Sequence, residues 1–203
     1  MSPARKRPKS RSPGRPRSDA SRSAILKAAY QILRESGFAG FTVEGVAARA
    51  GAGKATIYRW WQTKGKLAIE AFLVALAPQL DVVPDTGSAL VDLRAHVHRA
   101  AAIYRGRAGP LLRELIALGQ EDLETGRVLR TNFVAPRYGE AIRLLQRAQD
   151  SGEIARDVDI EVLADALWGP IFHRVLVSRM PIDRAYVDRL LVLVLDRVAA
   201  RRR

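Results

Sequence analysis

Residues 42–67 read TVEGVAARAGAGKATIYRWWQTKGKL, and this stretch decides the fold of the N-terminal part of the chain. Thr42 is a good N-cap residue and precedes apolar residues at helical spacing, so a short helix is predicted from there to about Ala50. The glycines of GAG interrupt that helix, and another short helix is predicted directly after them, over about 54–61. Two short helices joined by a tight glycine turn form the helix-turn-helix pattern.

Helical periodicity continues on both sides of this stretch. From Ser18 onward, apolar residues spaced i, i+3 and i+4 predict a first helix of about sixteen residues that stops near Gly37. On the other side, Thr63 is expected to cap a fourth helix that starts near Lys64. The N-terminal domain is therefore predicted to span residues 18–72.

The rest of the chain, residues 73–203, is predicted to be a larger helical domain. A break is expected first, at three helix-breaking residues, namely Pro78, Pro84 and Gly87. The sequence beyond them has no strand alternation and predicts helices over about 88–105, 109–119, 124–150, 159–178 and 183–200. The predicted fold class is all-α, with about nine helices in two unequal domains.

Composition restricts the possible function and location of the chain. It contains 203 residues and no cysteine, which excludes disulfides and thiolate chemistry. The longest strongly apolar stretch, Leu190 to Leu195, is far shorter than the roughly 20 residues that cross a bilayer. The basic N-terminus is not followed by an apolar signal core. The chain is therefore expected to be cytoplasmic, with no membrane partner.

Positive charge is concentrated at the N-terminal end. The formal net charge is +13, and residues 1–17 contain seven Arg or Lys and no acidic residue. This basic arm, residues 1–17, is predicted to be disordered because it has almost no apolar residues. Its Gly-Arg-Pro sequence resembles an AT-hook core, which would place Arg15 and Arg17 in the minor groove of A·T-rich DNA. A nonspecific phosphate-binding tail is an equally good interpretation.

The third helix has the pattern of an element that reads a DNA groove. Ile57 and Trp61 are four residues apart and apolar, so they can pack inward and leave the polar side chains of this helix for a partner. A helix of this kind fits the major groove, where Arg59 could pair with guanine. Lys64 begins the next helix, where its charge opposes the helix dipole unless a phosphate binds there. Each of these residues taken alone could belong to a solvated surface. The glycine turn, the spacing and the basic arm together favour a DNA-binding surface.

The run GFAGFTVEGVAARAGAGKATIYRWWQTKGKLAIEAF, residues 37–72, resembles the DNA-binding signature of the tetracycline-repressor (TetR) family. The resemblance implies a dimeric transcriptional regulator, generally a repressor, that leaves its double-stranded operator when a small molecule binds. It implies that Thr42 and Lys64 contact phosphates. It assigns the recognition surface to Lys54, Ala55, Thr56, Tyr58, Arg59 and Trp60. Ala55 and the Trp60–Trp61 pair depart from the usual family residues, which affects the bases that are read.

Over residues 88–200 the resemblance is looser, and it implies a homodimer interface made by the helices over 159–178 and 183–200. Independently, Leu190 to Leu195 make the last helix apolar nearly all round, which favours a two-fold interface over the alternative of a buried core helix. Gly169 and Pro170 predict a kink in the preceding helix. By resemblance, an effector pocket lies among these helices; core packing is the alternative for each candidate lining residue, namely Tyr104, Phe133, Tyr138, Trp168, Phe172 and His173.

Two other motifs are weaker than they look. GAGKAT, residues 51–56, lacks the first P-loop glycine, because Ala48 stands there, and lacks the Ser or Thr after the lysine. His96 and His98 point to different faces of a helix, so they form a poor metal chelate and are expected at the surface. No catalytic residue, metal or cofactor is predicted, and the chain is predicted not to be an enzyme. An architectural DNA-binding protein without sequence preference remains an alternative.

Overall fold

The protein, described here by a computed structural model, is defined over residues 15–80 and 84–199. These residues form ten α-helical segments with two π-helical turns, and their pairing as extended chain is limited to a single bridge between Ile154 and Ala199. The helices are α1 (Arg15–Ser36), α2 (Val43–Ala50), α3 (Lys54–Trp60), α4 (Lys64–Leu80), α5 (Ala89–Arg105), α6 (Ala108–Glu121), α7 (Leu123–Leu129), α8 (Ala135–Asp150), α9 (Ile160–Phe172) and α10 (Arg184–Leu195). The all-α prediction is confirmed.

Helix α1 begins earlier than the sequence predicts. Arg15 and Arg17, which were assigned to a disordered arm and an extended minor-groove segment, lie in its first turn. That part of the prediction is wrong because Pro16 falls in this turn, where the missing N–H is not needed and the fixed φ suits a helix. Residues 1–14 of the basic arm lie outside the described residues.

Helix α4 is longer than predicted and joins the two halves of the chain. It continues through Pro78 to Leu80, so the break expected at Pro78 is wrong. Proline this close to a helix end removes one hydrogen bond and leaves only a few residues of helix to be disturbed. Near the middle of α4, Phe72 is fully buried, and its ring centroid lies 5.8 Å from that of Phe133.

The C-terminal helices follow the predicted bounds except at the end of the chain. A π-helical turn, Arg130–Val134, joins α7 to α8 as one helical run over the predicted 124–150. Another, His173–Ser178, extends α9 just after Pro170, where the sequence predicts a kink. Helix α10 ends at Leu195, several residues before the predicted end at 200, which lies outside the described residues.

Helices α6 and α7 approach each other closely at two glycines. An added Cβ at Gly126 would lie 2.3 Å from the backbone oxygen of Gly119, and a Cβ at Gly119 would lie 3.0 Å from the Gly126 Cα. Since the obstructing atoms belong to the backbone, a side chain here requires the two helices to separate.

We therefore expect Gly126→Ala to lower the free energy of unfolding by about 1–3 kcal/mol through overpacking. Gly139→Ala in α8 is the matched control, because a Cβ there has no neighbour within 4 Å. In an open helix position alanine is the better helix former, so the control should raise the stability by up to about 1 kcal/mol. Urea denaturation at one protein concentration compares the two variants. Equal effects would contradict the close approach.

Candidate nucleic-acid interface

Helix α2 starts and stops as its sequence dictates. Thr42 caps it, because the Thr42 Oγ1 accepts a hydrogen bond of 3.0 Å from the Gly45 N–H. Gly51 ends it at a φ of 62°, a left-handed conformation that favours glycine. The Thr42 side chain is exposed and its hydroxyl proton is not used by the cap. It can therefore donate to a phosphate oxygen.

Helix α3 buries one side and presents the other. Ile57 is fully buried and Trp61, which follows the last turn, is 3% exposed, as the spacing predicts. Tyr58 and Trp60 are 48% and 39% exposed, although both are large and largely apolar. The remaining recognition-surface residues are also accessible: Thr56 is half-buried, and the exposed ones are Lys54, Ala55 and Arg59. The predicted recognition residues therefore lie on one helix, α3, and their side chains are accessible to a partner.

The charge of Lys54 is balanced across the turn between α2 and α3. Its Nζ lies 2.8 Å from the Glu44 Oε1. The hydrogen bond and the charge of Glu44 raise the pKa of Lys54, and the hydrogen bond from Lys54 lowers the pKa of Glu44. Both groups therefore remain charged at neutral pH. Because the pair is exposed, it contributes little stability, and a phosphate could replace Glu44 as the partner of Lys54.

Lys64 lies beside the cap of α2. Its Nζ is 4.4 Å from the ring centroid of Phe38 and 3.5 Å from the carbonyl oxygen of Phe41, the residue before Thr42. Its exposed ammonium group therefore shares one edge of the domain with the Thr42 hydroxyl. Two helix N-termini meet at this edge, which is a favourable place for a phosphate.

A network that the sequence analysis missed fixes the end of α3. The Trp61 Nε1 donates to the Glu70 Oε2 at 2.6 Å, and Glu70 also pairs with Arg22 of α1. The Arg22 guanidinium lies 5.7 Å from the Trp60 ring centroid and 5.9 Å from that of Trp61. These partners are nine and more residues apart in sequence, so local spacing gives no sign of them.

A second site lies in the C-terminal helices. A cavity of about 50 Å³ is lined by five of the predicted effector residues together with Val134 and Arg137; the five are Tyr104, Phe133, Tyr138, Trp168 and Phe172. Tyr104 and Phe133 are 5% and 1% exposed, and burial raises the pKa of Tyr104 to about 12, so its phenol is neutral.

Two histidines differ from their predictions. His173 does not line the cavity, because it begins the π-helical turn and its side chain is exposed. His96 is only 4% exposed and contacts Trp168 edge-on at 5.8 Å, so its predicted surface location is wrong. It lies on the packed face of α5, whereas His98 pairs with Asp188 of α10 at 2.9 Å.

Arg137 was missed as a lining residue. A signal was available, because it lies one helical turn after Phe133 and next to Tyr138. Its guanidinium lies 4.4 Å from the Phe133 ring centroid, and its Nη1 donates to the Phe133 carbonyl oxygen at 3.1 Å.

The outer face of α9 and α10 carries uncovered apolar side chains. Leu190, Leu191 and Leu195 are buried against the rest of the chain. Val192 and Leu193 on α10 are 54% and 62% exposed, and three further apolar residues are exposed, namely Val162 of α9, Val177 of the π-helical turn after it and Met180 just beyond that turn. Helix α10 is therefore not a wholly buried core helix.

Two kinds of site are absent from the described part of the chain. No group of three or more His, Cys, Asp or Glu side chains there could hold a metal ion. None of the helices in that part combines the length and the apolar character that crossing a membrane requires.

Comparison with known proteins identifies the family. Residues 25–71 match the model of bacterial regulatory proteins of the tetR family, and residues 83–194 match the tetracyclin repressor-like C-terminal domain. The chain is 40% identical over 179 residues to the HTH-type transcriptional regulator YdeS of Bacillus subtilis, covering 88% of this chain and 90% of that protein. It is 32% identical over 182 residues to the DNA-binding transcriptional repressor TetR of Mycobacteroides abscessus, covering 88% and 95%.

Solved structures agree with the sequence matches. The crystal structure of the TetR-family transcription regulator SCO0332 has a TM-score of 0.76 and 36% identity, covering 88% of this chain and 98% of that one. The regulator FadR of Bacillus subtilis in complex with stearoyl-CoA has a TM-score of 0.69 at 18% identity, covering 85% and 97%, and supports the fold alone. The chain belongs to the TetR family and is a transcriptional regulator with an N-terminal DNA-binding helix-turn-helix domain.

Proposed function

We propose that the protein is a homodimeric repressor that binds a specific operator and leaves it when a small molecule enters the C-terminal cavity. The observation that carries the proposal is the uncovered surface of α3, together with the exposed side chains of Thr42 and Lys64. A relative with 32% identity is named a DNA-binding transcriptional repressor, which supports the repressing sign.

In this proposal α3 enters the major groove. The exposed Arg59 donates to a guanine, while Tyr58 and Trp60 contact the sugar-phosphate backbone or thymine methyl groups. Thr42 and Lys64 bind phosphates and so fix the depth and angle of α3. The alternative of an architectural protein predicts equal affinity for all duplexes.

Two copies are needed because one α3 reads only one half-site. A two-fold dimer places its recognition helices about 34–36 Å apart, so that they enter successive major grooves. The uncovered apolar face of α9 and α10 supplies a self-complementary surface for that dimer. The interface would thus comprise the predicted segments 159–178 and 183–200.

Effector release requires the cavity to act on the position of the DNA-binding domain. Phe133 belongs to the cavity wall and also contacts Phe72 of α4, whose first residue is Lys64. A ligand that displaces Phe133 therefore acts on the helix that carries a phosphate contact. A differential affinity of about 5.5 kcal/mol is enough to take the DNA-binding state from 99:1 to 1:99.

The first test separates base reading from phosphate binding. An operator is selected from a random duplex pool, and affinities are then measured by fluorescence anisotropy at several salt concentrations. We expect Arg59→Ala to weaken operator binding roughly 10- to 100-fold and to relax the preference at one base pair. We expect Lys64→Ala to weaken all duplexes alike and to lower the salt slope by about 1.

Arg156→Ala is the control for that test, since it removes the same charge from an exposed residue between α8 and α9. Its affinity should match that of the wild type. The assignment of α3 fails if all three variants bind equally, and the repressor hypothesis fails if no sequence is enriched from the pool.

A second test concerns the dimer. Leu193→Glu places a charge on the uncovered face of α10, so it should convert the dimer to a monomer in sedimentation velocity and weaken operator binding at least about 10-fold. Leu123→Glu is the matched control, because Leu123 is 80% exposed on α7, a helix that packs on α4 and α6. A Leu193→Glu variant that remains a dimer at the wild-type concentration would exclude this interface.

A further inference from the structure

The walls of the C-terminal cavity are mostly aromatic. The ring centroids of Tyr104 and Phe172 are 6.0 Å apart, and those of Phe172 and Trp168 are 6.3 Å apart. Phe133 closes the inner side and Tyr138 the outer side. Rings at these separations favour a flat, polarisable guest, because aromatic pairs gain energy beyond their buried area.

One of these walls contains a buried donor without a partner. Among the described residues, the Trp168 Nε1 and the neighbouring His96 Nδ1 are buried and make no hydrogen bond within the chain. An unpaired buried polar group costs about 1–3 kcal/mol, and tryptophan N–H groups are usually paired when they are buried. An acceptor on a bound molecule would relieve that cost at Trp168.

The charged residues in the cavity lining indicate which charge a ligand would carry. Arg137 contributes a guanidinium, and none of the other lining residues is acidic. Burial lowers the pKa of His96, so that side chain is neutral at neutral pH and Arg137 is the charged group of the lining. Burial and the charges of Asp165, Glu161 and Asp159 raise the pKa of Tyr138 at the outer side, where its hydroxyl donates to Asp165; none of these three carboxylates belongs to the lining.

We propose that this cavity binds a planar aromatic anion of the aryl carboxylate class. Its ring lies among Tyr104, Trp168 and Phe172, a carboxylate oxygen accepts from the Trp168 Nε1, and Arg137 balances the charge. This inference rests on the proposed function and names the chemical class of its effector.

The volume of the cavity indicates that it must widen when a ligand enters. Its volume of about 50 Å³ is roughly a third of the ~150 Å³ of an engineered cavity that binds benzene. Binding must therefore widen it. Tyr138 and Val134, which are 36% and 42% exposed, form the part of the wall that can move outward. Phe133, on the same π-helical turn as Val134, moves with this wall and transmits the change to Phe72.

Isothermal titration calorimetry of the full chain tests the ligand class with four probes. Benzoate is the planar anion, benzamide its neutral counterpart, benzylammonium its cationic counterpart, and cyclohexanecarboxylate an anion of similar size without a flat ring. We expect benzoate to bind at least about 10-fold more tightly than each of the other three. The inference is overturned if another probe binds as tightly as benzoate, or if none of the four binds.

Two variants locate the carboxylate. Trp168→Phe keeps an aromatic ring and removes the donor, and Arg137→Met keeps much of the side-chain length and removes the charge. Each should weaken benzoate binding about 10-fold, and Arg137→Met should also abolish the preference for benzoate over benzamide. The control is Arg130→Met, the same change at an exposed residue outside the lining. Circular dichroism confirms that each variant is folded, and wild-type affinity in both cavity variants would overturn the assignment.

Fluorescence anisotropy with the selected operator distinguishes a failure of the ligand class from a failure of the proposed function. If the wild type binds that operator selectively but calorimetry detects no benzoate binding, the proposed ligand class is wrong and the proposed function as a regulator is retained. If benzoate binds and no duplex is preferred, the cavity chemistry stands and the proposed function fails. Release of the operator by benzoate, together with loss of that release in Trp168→Phe, supports both.

Discussion

The packing of the first turn of α4 against the α6–α7 corner is the constraint on which the structure depends. Gly65 is buried there, and a Cβ would lie 3.1 Å from both the Leu118 Cδ2 and the Thr125 Oγ1. The turn that carries Lys64 therefore has no room to shift against the C-terminal helices without repacking. Because α4 also packs on α1 and reaches Phe133 through Phe72, one helix connects the DNA-binding domain to the cavity wall.

Polar contacts also join the DNA-binding domain to α6 and to α7. The Glu114 Oε2 accepts the Phe38 N–H at 2.6 Å, so α6 holds the loop before α2. Lys66 pairs with Glu124 of α7 at 3.2 Å. Closely packed elements move as units and do not deform gradually, so a shift of α7 must carry Lys66 and its neighbour Lys64 with it. The proposed release mechanism requires that a widened cavity and a bound operator favour different arrangements of this α6–α7 corner.

Local signals in the sequence were enough to predict the DNA-reading elements. The Thr42 cap, the glycine turn at Gly51 and the inward pair Ile57 and Trp61 depend on neighbours within a few residues, and the structure has each of them. The failures share a different cause. Glu70 reaches Trp61 and Arg22 only through tertiary packing, and the burial of His96 depends on which face of α5 meets α9. Spacing along one helix does not contain that information.

The two lysines that we propose as DNA contacts, Lys54 and Lys64, are held by partners that a phosphate can replace. Lys54 pairs with Glu44, and Lys64 lies against the Phe38 ring, in contacts at least partly exposed to solvent. Exposed contacts of this kind contribute at most about 1 kcal/mol each, so exchanging them for phosphate contacts costs the protein little. In the proposed complex, the affinity gained from released counterions is then largely retained, and selectivity depends on the base contacts proposed for α3.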